Sequence, residues 1–141
     1  MTTNLLLIDT HVLIWLAEGR RLREEARTAI DLAANAGTLM ISATSAWEIG
    51  LLETRTDRTG QLFGGNARRW FADAMDSLKL RLIVFDDTIA LEAAYLPGDF
   101  HHDPSDRWVV ATARVAGATL VTADKLILAY AAAGHVQALR A

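Results

Sequence analysis

Asp9, Glu48, Asp106 and Asp124 lie far apart along the chain, yet each follows an apolar strand-like run or stands near the start of a helix. Carboxylates from distant segments that meet at one edge of a sheet form a site for hard divalent cations. Two bare carboxylates ~5 Å apart repel by about 3 kcal/mol at an effective dielectric of roughly 20, so four together call for a cation or for retained protons. Mg²⁺ and Mn²⁺ suit such a set, because they take oxygen ligands and keep several waters. A coordinated water is acidified and becomes a nucleophile at neutral pH.

Each acid also has a local explanation. Asp9 fits a helix cap. Ser45-Ala46-Trp47-Glu48 matches the capping box S-x-x-E. In Asp103-Pro104-Ser105-Asp106, Asp103 reads as an N-cap and Pro104 as the first helical residue. Thr122-Ala123-Asp124 reads as a Thr cap followed by an acid favoured by the helix dipole. Capping accounts for one acid at a time, not for several at the same end of one sheet. Between the two neighbours, Asp106 shares a helix face with Val110 and Ala113 and is the better ligand, leaving Asp103 as the cap.

The elements that must position these residues alternate. Leu5–Ile8, Leu39–Ile41, Leu82–Phe85 and Thr119–Val121 read as strands, with Val136–Leu139 as a fifth. Helical patterns occupy 11–18, 22–33, 44–53, 70–78, 88–96, the stretch from 103 to Gly117, and 124–133, while 54–66 is a polar, glycine-containing loop. Leu5-Leu6-Leu7-Ile8 is apolar throughout, as in a strand covered on both faces. This order predicts a single α/β domain over 1–141 with a central parallel sheet of four to five strands. Ligands of such sheets bind beyond the carboxyl ends of the strands, where all four acids would converge.

Composition narrows the classes. The chain has 141 residues, 52% of them apolar, and no cysteine, which removes disulfides, thiolate nucleophiles and cysteine-ligated zinc. Its N-terminus lacks the pattern of an export signal and no stretch has the length of a membrane span, so a cytoplasmic protein is expected. Net charge is −3, and setting aside the four acids leaves the remainder at +1, which permits a nucleic-acid partner. Arg55, Arg58, Arg68 and Arg69 have few acids among them and are the candidate phosphate contacts. Arg20, Arg21, Arg23 and Arg27 alternate with Glu24, Glu25 and Asp31 and read as a solvated face. His101 and His102 read as surface residues, His11 as a packing or capping residue and His135 as part of a turn. The four tryptophans read as core or interface rather than as base-stacking platforms.

At Leu7–Trp15, Ser42–Ile49, His102–Arg107 and Val121–Asp124 the chain resembles the PIN-domain family, and within it the VapC-type toxins of bacterial toxin–antitoxin pairs. The pieces fall in the family's order and span nearly the whole chain. The resemblance implies a three-layer sandwich with helices on both faces of the sheet, and a metal-dependent endoribonuclease. It carries the catalytic acids onto Asp9, Glu48, Asp106 and Asp124, with Asp103, Thr10 and Thr122 as accessory residues. The cofactor would be Mg²⁺ or Mn²⁺, with Asp9 and Asp106 binding the principal ion. The implied partners are RNA, a small antitoxin and a second copy of the chain. The sequence departs from the pattern at Leu52, often Lys, at Gln61, where Gly60-Gln61-Leu62 replaces Gly-Lys-Leu, and at Ala123, often Arg. Two alternatives stand beside this reading: a PIN-like binding module that does not cut, and an aspartyl-phosphate phosphatase using Asp9. The latter would want an acid where His11 stands.

Overall fold

The computed structural model describes residues 4–55 and 62–141. Five parallel strands form one sheet: β1 (Leu6–Ile8), β2 (Leu39–Ser42), β3 (Arg81–Ile83), β4 (Thr119–Thr122) and β5 (Ala138–Arg140), in the order β3-β2-β1-β4-β5. β1 is central, with Leu6, Leu7 and Ile8 opposite Leu39, Met40 and Ile41 on one side and Thr119, Leu120 and Val121 on the other.

The apolar run of β1 is divided by the two-residue period of a strand. Leu6 and Ile8 enter a core shared with Leu39, Ile41 and Val121, covered by α1 (Thr10–Ala17), α2 (Glu24–Ala36), α3 (Ala43–Glu53) and α4 (Ala67–Ser77). Leu7 enters the opposite core with Leu120, covered by α5 (Asp87–Ala94), α6 (Pro104–Ala116) and α7 (Lys125–Ala132). The three-layer α/β sandwich is therefore built as expected. Gly37 and Gly117 close α2 and α6 in the left-handed conformation, which glycine adopts without a Cβ penalty.

Three local expectations change. β3 spans Arg81–Ile83 rather than 82–85, because β2 ends at Ser42, which pairs with Ile83; nothing remains for Val84 and Phe85 to pair with, and both are exposed. Helix α3 is capped by Ser42, whose Oγ accepts from Thr44 N at 3.0 Å, so Ser45 and Glu48 are not a capping box. Helix α7 is capped by Asp124, whose Oδ1 accepts from Leu126 N at 2.9 Å and Ile127 N at 3.1 Å; Thr122 is not the cap.

Candidate active site

The strand order reverses at β1, whose neighbours on its two sides connect in opposite directions along the chain. The switch lies between β1 and β4, and the crevice beyond their carboxyl ends is where ligands of such sheets bind. Asp9 follows β1 directly and is held at this edge by its backbone N–H, which donates to Val121 O at 3.0 Å. Its side chain is buried, Oδ1 accepting from Thr10 N at 2.9 Å and Oδ2 from the Thr122 hydroxyl at 2.8 Å. Thr122 Oγ1 in turn accepts from Asp124 N at 3.0 Å. One hydroxyl thus links the two acids across the seam.

A second chain of bonds reaches the other side. The Thr10 hydroxyl donates to Glu48 Oε1 at 2.7 Å and lies 2.8 Å from Ser45 Oγ. Because Thr10 has one hydroxyl proton, Ser45 is the donor of the latter bond. Ser45 is fully buried, and its hydroxyl supports the aim of Glu48 through Thr10. The S-x-x-E spacing is used, but to build the site rather than to start the helix.

The acids act on one another. Burial pushes the Glu48 carboxyl from 4.5 to about 7; the bond from Thr10 pulls it down, while Asp9, Asp106 and Asp103 push it up further. Burial likewise raises Asp106 from 3.8 to about 6, with Asp124, Asp103 and Asp9 adding to the rise and His101 opposing it. Asp9, Glu48, Asp106 and Asp124 therefore share one electrostatic neighbourhood, and Asp103 belongs to its rim. Asp103 is the N-cap of α6, its Oδ1 accepting from Ser105 N at 3.0 Å and Asp106 N at 3.4 Å.

Among the described residues, no three acidic or imidazole groups stand close enough together to enclose an ion directly. The donors fit a hard cation that retains water ligands and takes only one or two carboxylates, the usual habit of Mg²⁺.

Two histidines belong here that composition alone left on the surface or in packing. His11 Nε2 accepts from Ala123 N at 2.9 Å, tying α1 to the turn after β4, while its Nδ1 stands 3.7 Å from Asp9 Oδ2. His101 is half-buried, with Nε2 at 3.0 Å from Asp106 Oδ2. Only the motif of an imidazole two residues before Asp103 could have drawn attention to it. His102 is exposed, as expected.

The arginines form a separate group. Arg55 follows α3, and Arg68 and Arg69 open α4; all three are exposed, and no ion pair or hydrogen bond among the described residues joins their side chains to the acids. Arg58 and Gln61 lie outside the described residues. Trp47 is half exposed and meets Trp108 edge-on at 5.6 Å, and Phe85, also exposed, meets Trp108 at 5.2 Å, while Trp108 packs against the core under α5, α6 and α7.

The PIN-domain family model matches residues 6–133, a span that contains every acid of the site. The chain belongs to the PIN-domain family. This PIN domain is similar to ribonuclease VapC22 of Mycobacterium tuberculosis, 32% identical over 126 residues that cover 89% of each chain. Its fold is similar to that of VapBC2 from Rickettsia felis bound to a promoter DNA fragment, with a TM-score of 0.70 and 14% identity over 96% of this chain and 98% of that one. DNA-bound VapBC from Salmonella typhimurium gives a TM-score of 0.68 and 15% identity over 98% of both chains. At such identities these two likenesses bear on the fold alone. No helix among the described residues is long and apolar enough to cross a membrane.

Proposed function

We propose that this PIN domain is a Mg²⁺- or Mn²⁺-dependent endoribonuclease that serves as the toxin of a toxin–antitoxin pair. The observation that carries the reading is the gathering of Asp9, Glu48, Asp106 and Asp124 at the sheet's switch point, in a chain 32% identical to ribonuclease VapC22. Asp9 and Asp106 would hold the principal ion, with Glu48 and Asp124 completing the acidic shell. Such an ion supplies Lewis-acid stabilisation of charge on a phosphoryl oxygen and acidification of water. Glu48, poised near neutrality and aimed by Thr10, accepts the proton of the attacking water. Thr122 fixes the orientation of Asp9. Hydrolysis leaves a 5′-phosphate and a 3′-hydroxyl.

Arg55, Arg68 and Arg69, exposed and without ion pairs among the described residues, suit contacts to the RNA backbone. A homodimer fits the exposed apolar surface of Trp47, Leu51, Val84, Phe85, Leu91 and Tyr95, contributed by α3, the end of β3, and α5. The partner that restrains the toxin is a small antitoxin protein, in keeping with the VapBC complexes whose fold this chain shares.

The deciding experiment is expression in cells with and without the product of the neighbouring small reading frame, while RNA 5′ ends are sequenced. Growth arrest with new 5′-phosphate ends, relieved by that product and by Asp9→Asn, is expected. Intact RNA and normal growth would leave a non-cutting binding module as the better reading.

A further inference from the structure

His101 stands in the loop between α5 and α6, and the surrounding structure is organised to hold it. Arg107 donates through Nη1 to Phe100 O at 3.0 Å and to His101 O at 3.2 Å. The same guanidinium donates through Nε to Ala93 O at 2.9 Å, so it ties the end of α5 and the loop to α6 together. The Phe100 ring packs between the His101 ring at 4.5 Å and the Tyr130 ring at 4.7 Å. The Tyr130 hydroxyl donates to Pro97 O, fixing the loop from its other side. A surface histidine needs none of this.

The imidazole's two nitrogens have different tasks. Nδ1 accepts from the backbone N–H of Asp103 at 3.3 Å, so the proton of the neutral ring belongs on Nε2. Nε2 is buried and 3.0 Å from Asp106 Oδ2, yet its N–H direction misses that oxygen, and no other described protein atom pairs with it. A buried donor left 3.0 Å from a carboxylate oxygen is costly, and pairing it with Asp106 Oδ2 would remove that cost. Bonds of this kind are often poorly aligned in the unliganded state and tighten when the site is filled.

We infer that His101 is a positioning residue for Asp106: its Nε2–H anchors Oδ2 and thereby presents the other carboxylate oxygen to the bound ion. The ring orients a ligand through the ligand's far atom, as outer groups of metal sites commonly do. The inference rests on the metal-dependent reading above and assigns no proton transfer to His101.

The test uses the full-length protein and four variants, His101→Ala, His101→Gln, His102→Ala and Asp106→Asn, together with the double variant His101→Ala/Asp106→Asn. Mn²⁺ affinity is measured by calorimetry, and the His101 tautomer by long-range ¹H–¹⁵N correlation in the metal-free wild type. Loss of the ring should weaken Mn²⁺ binding by roughly 10-fold or more. Glutamine, which restores a donor at similar reach, should recover most of that loss, while His102→Ala should bind as the wild type does. Within the Asp106→Asn background, His101→Ala should have no further effect, because the ring acts through that carboxylate. The tautomer should be protonated on Nε2. Wild-type affinity in His101→Ala, equal losses in the two Asp106 backgrounds, or a ring protonated on Nδ1 would each overturn the assignment while leaving the nuclease reading intact. A wild-type protein that binds no Mn²⁺ would overturn both.

Discussion

Thr122 Oγ1 donates a 2.8 Å hydrogen bond to Asp9 Oδ2, joining the end of β4 to the end of β1 across 113 residues of sequence. The bond leaves Asp9 with both oxygens already engaged, Oδ1 by Thr10 N and Oδ2 by the Thr122 hydroxyl. An acid so held keeps its orientation without a ligand, which lowers the cost of organising the site when substrate arrives. The position two residues on is His11, whose Nε2 is occupied by Ala123 N. The aspartyl-phosphate alternative would want an acid there, which disfavours it.

Asp9→Asn should leave the fold intact, because the amide oxygen can still accept from Thr10 N. Removing its charge should lower RNA cleavage by at least about 100-fold, equivalent to about 2.7 kcal/mol in the barrier. Single-turnover cleavage of a labelled RNA, beside a thermal melt of the same preparation, measures both quantities. Cleavage at the wild-type rate would remove Asp9 from the mechanism.

Thr10→Val takes away the hydroxyl that serves Glu48 and Ser45. With a buried donor and acceptor left unpaired, the cost should be about 1–3 kcal/mol, read from urea unfolding. Because the bond from Thr10 lowers the Glu48 pKa, its loss should also move the acidic limb of the pH–rate profile to higher pH. A variant unchanged in both respects would mean that Thr10 does not direct Glu48.

The raised carboxyls of Glu48 and Asp106 set a pH dependence of stability. Unfolding returns them from about 7 and about 6 to 4.5 and 3.8. Between those limits the folded protein holds more protons than the unfolded chain, so metal-free stability falls as pH rises through the window. The melting temperature should therefore be lower at pH 8 than at pH 5, the drop should shrink in Glu48→Gln, and Mg²⁺ or Mn²⁺ should recover stability at pH 8. A Glu48→Gln protein with the full wild-type drop would show that the acid is not held in this environment.

Leu91 and Tyr95 lie one turn apart at the exposed end of α5, Tyr95 being 79% exposed. If this surface joins two copies, Leu91→Arg or Tyr95→Asp should convert a dimer to a monomer in light scattering without lowering the melting temperature at high dilution. Persistence of the dimer in both variants would place the interface elsewhere.

Arg107 contacts four backbone carbonyls, Ala93, Ala94, Phe100 and His101. A lysine ammonium cannot span them, because it lacks the planar fork of donors. Arg107→Lys should lose about 2–3 kcal/mol of stability, the scale for hydrogen bonds to a charged group. A lysine variant as stable as the parent would show that the loop is held chiefly by the Phe100–Tyr130 packing.

The sequence by itself determined the architecture, because strand and helix periods and helix caps are local, while its ordered motifs carried the resemblance to the family and named the four acids as candidates. Leu5–Ile8 already reads as a strand covered twice, and Asp103-Pro104 as a helix start. Contacts between segments were the part that only the tertiary structure decided. Whether Ser45 capped a helix depended on where β2 stopped, and whether Val84 extended β3 depended on the same end point. The work of Thr10, Thr122 and His101 depends on partners 38, 113 and 5 residues away, brought within hydrogen-bonding range or close to it. Spacing along one chain cannot encode such distances, since they arise only when β1, β2 and β4 align in register and Arg107 ties the loop before α6 in place.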